Sequence, residues 1–112
     1  MANVYKNIQA VISSAGSDVD MYTAPDETTS IVKSIKLYNT HSSNLVVDIT
    51  VYDFSSTTDF EYDSVTVNTD NSVDLLTFNN VLILEAGDIL KMQTPTTNVV
   101  KMTASVLQTS RT

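Results

Sequence analysis

The sequence predicts an all-β protein, an antiparallel β-sandwich of about eight strands in jelly-roll or Greek-key order. Apolar and polar residues alternate with a period of two along several short segments, as in strands buried on one side. Turn residues separate these segments at intervals of about 8–12 residues, which is typical of sandwiches and barrels. Thr, Val, Ser and Asn are abundant, whereas residues that favour helices are scarce. We expect one domain, residues 1–112, because a chain of this length buries a single core.

The first predicted strands lie in the N-terminal half. A strand over residues 6–13 points Ile8, Ala10 and Ile12 inward. The next strand, residues 31–39, has two faces, with Ile31, Lys33, Ile35 and Leu37 on one and Val32, Ser34, Lys36 and Tyr38 on the other. In the strand over residues 45–54, the core face carries Leu45, Val47, Ile49 and Val51, and the opposite face carries Val46, Asp48, Thr50, Tyr52 and Phe54. The polar connection between these two strands has hairpin length and predicts that they pair with each other.

The alternation continues in the C-terminal half. Residues 60–68 place Phe60, Tyr62, Ser64 and Thr66 opposite Glu61, Asp63, Val65 and Val67. Short strands are predicted over residues 72–76, 81–84 and 89–93. The last strand, residues 98–108, has Val100, Met102, Ala104 and Val106 on one side.

Gly87 interrupts two runs of branched aliphatic residues and predicts a turn over residues 85–88 that returns the chain as a hairpin. Glycine adopts a positive φ without steric cost, and the side chain of Asp88 can bond to the turn backbone. Gly16 predicts a second turn of this kind. A phosphate-binding role is disfavoured, because no glycine-rich loop or basic residue accompanies Gly87.

Charge and composition limit the partners. The net charge of −7 and the pI of about 4.2 disfavour nucleic acid and anionic membranes. The lack of cysteine excludes a disulfide scaffold, thiolate metal sites and a cysteine nucleophile, and it fits folding in a reducing cytosol. The N-terminus shows no secretion signal, and no apolar stretch approaches the roughly 18 residues that span a bilayer. We therefore expect neither a nucleic-acid nor a membrane partner.

Few residues suggest catalysis or metal binding. His41 lies beside Ser42 and Ser43 in a polar connection, where a solvated loop histidine is expected rather than a triad. A strand would align Asp59, Glu61 and Asp63 on one face, and Asp70, Asn71 and Asp74 cluster near a turn. Either carboxylate group offers oxygen ligands for calcium, but neither matches the twelve-residue calcium loop. We expect no cofactor and no catalytic or metal site; a calcium ion at Asp59, Glu61 and Asp63, or at Asp70 and Asp74, is the alternative.

The outward face of the central strands is the predicted interaction surface. Val32, Tyr38, Val46, Tyr52 and Phe54 would all point away from the aliphatic core. A monomeric sandwich keeps its outer faces polar, so this set predicts a subunit interface. The alternative is that the N-terminal segment or a long loop covers the face.

Several stretches together resemble small virion proteins of tailed bacteriophages, many of them phages of marine bacteria and cyanobacteria. These stretches are YKN near the start, MYTAPDETTSIVKSIKLYNT, VVDITVYD, SVDLLTFNNVLILEAGDILKMQ and VVKMTASVLQTS. The resemblance extends over nearly the entire chain. The resemblance implies a β-sandwich component of the phage particle, which decorates or cements the head or belongs to the neck or tail. Residues 25–27 differ from the family pattern, in which a small residue or glycine often follows the proline.

These observations predict a non-enzymatic virion structural protein. Its partners would be major capsid or neck and tail proteins and other copies of itself, with a trimer expected by analogy. It would be assembled into the virion in the cytoplasm of the bacterial host. The alternative is an adhesion module that binds a glycan or receptor through loops at one end, residues 41–44, 55–59 and 95–98, with Tyr52 or Tyr62 stacking on the ligand. A hydrolase that acts on cell-wall polymer is a third, more distant alternative.

Overall fold

A computed structural model describes residues 3–76 and 81–110 and confirms the all-β fold. The strands in these ranges are β1 (Asn3–Val11), β2 (Val19–Thr23), β3 (Thr28–Asn39), β4 (Leu45–Asp53), β5 (Thr58–Val67), β6 (Ser72–Asp74), β7 (Leu82–Leu84), β8 (Ile89–Gln93) and β9 (Val100–Ser110). No helix of a length and hydrophobicity suited to crossing a membrane occurs in the described ranges. β2 has no counterpart among the strands predicted from the sequence.

The strands form two antiparallel sheets that face each other. Sheet 1 has the order β1-β9-β3, with β6 and β7 pairing with successive parts of β3. Sheet 2 has the order β2-β8-β4-β5. The chain thus passes from one sheet to the other at nearly every connection. This is the strand order of a jelly roll, in which β6 and β7 together occupy one strand position.

Two predicted hairpins are wrong. β3 belongs to sheet 1 and β4 to sheet 2, so the connection between them crosses the sandwich. β7 and β8 are divided between the sheets in the same way, so the turn at Gly87 also crosses the sandwich. Alternation indicates which side of a strand is buried, but it does not indicate which sheet the strand joins. Within the described ranges, consecutive strands pair as a hairpin at β4 and β5, where Asp53 pairs with Thr58.

The core lies between the sheets and contains most of the predicted inward residues. Every inward residue predicted in the last strand is buried, and in β4 Leu45, Val47 and Ile49 are buried. At one end of this core the Tyr22 hydroxyl forms a 2.7 Å hydrogen bond with Ser30 and accepts another from Gln108. Because Tyr22 belongs to sheet 2 and its partners to sheet 1, this network joins the two sheets.

A β-bulge divides β3. Val32 pairs with Val106 and Ser34 with Ser105, which leaves Lys33 as an extra residue. A bulge inserts one residue into the two-residue period and so exchanges the faces of the strand beyond it. Val32 is therefore buried, while Ile31 lies on the outer side.

The connections at one end of the sandwich meet at Gly87. The turn predicted there is confirmed: Gly87 has a φ of +88° and the Asp88 N–H donates to the Glu85 carbonyl at 2.9 Å. The buried carboxylate of Asp88 accepts a hydrogen bond from the backbone N–H of Glu85 and another from that of Phe54. Asp88 therefore ties the β7–β8 turn to the β4–β5 hairpin. Gly16 also has a positive φ, +71°, as predicted.

The other end is organised by Asn39, which is fully buried. Its side-chain amide donates to the carbonyls of Ser43 and Val67 at 3.0 and 2.9 Å. Its side-chain carbonyl accepts from the backbone N–H of His41 at 2.8 Å. These bonds hold the β3–β4 crossing against the end of β5.

Candidate interaction surfaces

The residues predicted to form one outward face do not lie together. Val32 is 1% exposed and packs in the core, so its outward placement is wrong; the bulge at Lys33 turned it inward. Tyr38 lies on the outer face of sheet 1, is 41% exposed, and donates from its hydroxyl to the carbonyl of Asp70 at 3.2 Å.

The other residues of that set belong to different surfaces. Val46 and Tyr52 lie on the outer face of sheet 2, because Leu45, Val47 and Val51 beside them pack in the core. Phe54 lies in the β4–β5 hairpin, where its ring covers Gly87. The predicted single interface is therefore divided between two faces and one end, because β3 and β4 belong to opposite sheets.

An apolar row crosses the outer face of sheet 1. Strand pairing places Tyr5 beside Leu107, Leu107 beside Ile31, and Ile31 beside Ile83. Tyr5 is 73% exposed and Ile83 is 59% exposed, while the two central residues are half-buried. This apolar row was not predicted, because uninterrupted alternation assigned Ile31 to the core. The one signal in the sequence is the pair of polar residues between Val32 and Ile35, which interrupts the alternation of β3.

Three lysines lie on the same face as the apolar row. Lys36 and Lys101 point outward because both neighbours of each along its strand are buried. Lys33, in the bulge, reaches the same side, since its Nζ lies 5.6 Å from the centre of the Tyr5 ring, within cation–π range. Asp74, the partner of Lys36, is the acidic residue on the strands of this face within the described ranges, and Asp70 lies at its edge, next to Tyr38. We call this surface, defined by Lys33, Lys36 and Lys101, the lysine face.

The outer face of sheet 2 has the opposite charge. We call it the acidic face and define it by Asp20, Asp48, Asp59 and Glu61, which lie on β2, β4 and β5. Lys91, on β8, is the cation of this face within the described ranges. Its Nζ is 3.3 Å from Asp59 Oδ1 and 5.1 Å from the centre of the Tyr52 ring. One lysine therefore stands among several carboxylates.

The alignment of Asp59, Glu61 and Asp63 on one face is wrong. Glu61 pairs with Thr50 and Asp63 with Ile49, so Tyr62 is the extra residue of a bulge in β5. Asp63 consequently faces the opposite side from Asp59 and Glu61. The first calcium alternative depended on three aligned carboxylates, and its geometric basis is lost.

The second calcium alternative, at Asp70 and Asp74, divides between two locations. Asp70 lies in the β5–β6 connection with a φ of +55°, while Asp74 lies on β6 beside Lys36. Within residues 3–76 and 81–110, no three acidic or histidine side chains are placed to hold a metal ion.

A polar groove lies over the bulge in β5. Its volume is about 520 Å³, and it is lined by Asp18, Asp48, Ile49, Thr50, Glu61, Tyr62, Asp63, Ser64 and Gln93. Partial burial raises the pKa of the Tyr62 hydroxyl, and the neighbouring carboxylate of Asp63 raises it further. The groove therefore presents hydrogen-bond acceptors around one aromatic ring.

His41 has surroundings that suit a loop residue rather than a catalytic base. Its Nδ1 lies 3.5 Å from the hydroxyl of Ser43, two residues away. No carboxylate in the described part of the chain bonds to the imidazole, so it lacks the orienting partner of a triad.

The loops predicted to form one binding end lie at both ends. Residues 41–44 precede β4 and residues 55–57 follow it, so the nine residues of the strand separate them. At about 3.3 Å per residue, this separation is about 30 Å. Asn98 belongs with the first end, because Thr40, which precedes the first loop, donates its N–H to the carbonyl of Val99, the residue after Asn98. A small glycan therefore cannot contact all three loops at once.

Two solved structures resemble this fold over nearly the whole chain. A Bacillus endospore appendage protein, from a family of disulfide-linked pili, matches with a TM-score of 0.59 and 11% identity, over 98% of this chain and 89% of its own. A protein from the virus-like particle of the giant freshwater prawn (Macrobrachium rosenbergii) extra small virus matches with a TM-score of 0.52 and 14% identity, over 96% and 79%. No family model and no curated protein matches the sequence. Identities this low show a shared fold alone.

Proposed function

We propose that this chain is a non-enzymatic structural subunit of a virus particle. The observation that carries the proposal is the apolar row, which places the exposed side chains of Tyr5 and Ile83 on an outer sheet face. A sandwich that works alone keeps such faces polar, and contiguous exposed apolar residues mark contacts with other proteins. The fold it shares with a pilus protein and a virus-like-particle protein supports an assembling subunit.

Within this class we infer a bacteriophage decoration or cement subunit, with a neck or tail position as the alternative. Support comes from the sequence resemblance to small virion proteins of tailed phages. The net charge of −7 suits a subunit held at high local concentration on an outer surface. Its partners would be the major capsid or neck and tail proteins and further copies of itself, with a trimer by analogy. Because the sequence has no cysteine, contacts between copies would not be disulfide-linked.

The test is the location and copy number of the chain in purified particles. Quantitative mass spectrometry against the major capsid protein should find the chain in fixed stoichiometry, and imaging should place it on the head. Many copies per particle would indicate head decoration, and few copies would indicate the neck or tail. Absence of the chain from particles that are otherwise complete would contradict the proposed function.

A glycan-binding module is the second candidate, and the groove beside Tyr62 is the observation that favours it. Sugar sites combine an aromatic ring with hydrogen-bonding groups, and this groove offers Tyr62 with Gln93 and several carboxylates. A glycan array with calcium present should show binding that the Tyr62→Ala variant loses. Binding at background level for the unchanged protein would exclude this candidate.

A further inference from the structure

We propose that copies of this chain stack face to face, with the lysine face of one copy on the acidic face of the next. The inference rests on the proposed function as a structural subunit and names the partner of its exposed surface: a second copy of the same chain. Three arguments support this occupant: the charges of the two faces, the position of their apolar residues, and the area available.

The two outer faces carry opposite charge although the whole chain is strongly acidic. The strands of the lysine face carry Lys33, Lys36 and Lys101 and one carboxylate, Asp74, in the described ranges. The acidic face has its four carboxylates and Lys91, which is already engaged by Asp59. Each face therefore complements the opposite face of another copy, and complementary charge steers association and fixes orientation.

Charge also excludes the symmetric arrangements. Two lysine faces in contact would bring lysines against lysines, and two acidic faces would bring carboxylates against carboxylates. Juxtaposed like charges are strongly unfavourable when water is removed from between them. The contact favoured by charge is therefore heterologous: two different surfaces of the same chain.

Apolar residues on both faces add to the charge complementarity. The apolar row lies on the lysine face, and the acidic face offers Tyr52 beside Ile89, with Val46 48% exposed. The acidic face is the smaller of the two: its strands have five, five, nine and ten residues, and at about 3.3 Å per residue and about 4.8 Å between strands they give a footprint of roughly 460 Å². A contact over this footprint buries about 900 Å² in total, below the range of standard specific interfaces. Each contact is therefore weak and sensitive to salt, and many contacts are needed for a stable assembly.

The position of the faces on opposite sides of the sandwich determines the form of the assembly. A heterologous contact between opposite faces repeats from copy to copy and does not close on itself. Sheets pack about 10 Å apart, so each copy adds two layers and a repeat of about 20 Å. The expected product is an open stack, so a closed trimer would need a different contact from this one.

The test uses two full-length variants with reversed charge. Lys33→Glu/Lys101→Glu gives the chain two acidic faces, and Asp48→Lys/Glu61→Lys makes both faces basic. Each variant alone should associate at least about tenfold more weakly than the unchanged protein at physiological ionic strength, measured by sedimentation velocity. An equimolar mixture should restore association, because an acidic face then meets a basic face at every contact. Restoration on mixing is specific to a heterologous, charge-matched contact.

Controls separate this contact from general charge effects. Asp26→Lys/Glu85→Lys changes the net charge as much as Asp48→Lys/Glu61→Lys does, but it acts at the end of the sandwich and should leave association unchanged. Circular dichroism should show that every variant keeps its strands. Raising the salt from about 0.15 M to about 1 M should weaken association of the unchanged protein.

Three results would overturn the stacking proposal: a mixture that fails to associate, single variants that associate normally, or an unchanged protein that stays monomeric at high concentration. The presence of the chain in particles is a separate measurement. A chain found in particles whose variants do not behave in this way would retain its proposed function and lose its proposed contact.

Discussion

Replacing Gly87 with alanine should destabilise the fold more than the same replacement at Gly16, the other glycine of this chain. The residue has a φ of +88°, a region that L-amino acids with a side chain rarely adopt. A Cβ at this position would lie 2.7 Å from Cγ and 3.1 Å from Cβ of Phe54. The backbone of Phe54, and with it Cβ, is held in place because its N–H donates to the buried carboxylate of Asp88 at 3.0 Å. Both the backbone and the neighbouring side chain therefore resist the change.

Gly16 provides the matched control. It has a comparable φ of +71°, but nothing lies within 4 Å of an added Cβ. Left-handed backbone costs an alanine about 1–2 kcal/mol, partly offset by the lower entropy of the unfolded chain. We expect Gly16→Ala to lose about 1 kcal/mol. Gly87→Ala should lose about 2–4 kcal/mol, because overpacking against Phe54 adds about 1–3 kcal/mol.

Urea unfolding, followed by circular dichroism, measures both losses, and thermal unfolding should show a decrease of about 4 °C per kcal/mol in a domain of this size. A double-mutant cycle with Phe54→Ala isolates the steric part: in that background Gly87→Ala should cost less, since the ring atom at 2.7 Å is gone. Equal losses for Gly16→Ala and Gly87→Ala, or no coupling to Phe54, would refute the reasoning.

Three further predictions concern the polar groups that hold the connections. Asn39→Leu should cost about 3–5 kcal/mol in urea unfolding, since it leaves two carbonyls and an N–H without their buried partner. The control Asn44→Ala removes one exposed bond and should cost less than about 1 kcal/mol. Asp88→Asn should cost about 1.5–3 kcal/mol, because both carboxylate oxygens accept backbone N–H groups, and the amide nitrogen that replaces one oxygen cannot accept a hydrogen bond. Asp26→Asn is the control and should be neutral. The hydroxyl of Ser56, and to a lesser extent that of Ser55, lowers the pKa of Asp53 below its ordinary value of 3.8. The stability from this group is therefore present above about pH 3.8 and is lost as the pH falls through the lowered folded value. Ser56→Ala should move the Asp53 carboxyl titration, followed by NMR, towards 3.8; an unchanged titration would contradict this assignment.

Alternation predicted the strands well because it reports burial directly. The inward sets of β4 and β9 are buried as expected, since each of these strands has one face on the core and keeps its period over those residues. β2 escaped prediction because it has five residues and contains a register shift between Asp20 and Tyr22, so adjacent Met21 and Tyr22 are both buried. A strand that short and irregular shows no period to detect.

The surfaces could not be predicted to the same extent, for two physical reasons. Each bulge adds one residue to a two-residue period, so Lys33 exchanges the faces of β3 and Tyr62 separates Asp63 from the acids before it. The connections give no sign of which sheet the next strand joins, so β3 and β4 were predicted to pair although they lie in opposite sheets. An interface assigned from the sequence combined residues that the fold places far apart.

The same two features explain how a chain with a net charge of −7 acquires a lysine face. β3 supplies lysines to one side of the molecule, and the next strand, β4, supplies an aspartate to the other, because the connection between them crosses the sandwich. The bulge then brings Lys33 to the side of the apolar row. Repulsion between whole acidic chains acts at long range and is screened beyond about 8 Å at physiological ionic strength, whereas opposed faces attract within that distance. An acidic subunit can therefore remain dispersed at low salt and still have a directional attraction to its own copies at physiological salt. The direction of that attraction is determined by jelly-roll winding and one inserted residue, and neither is visible in the overall charge.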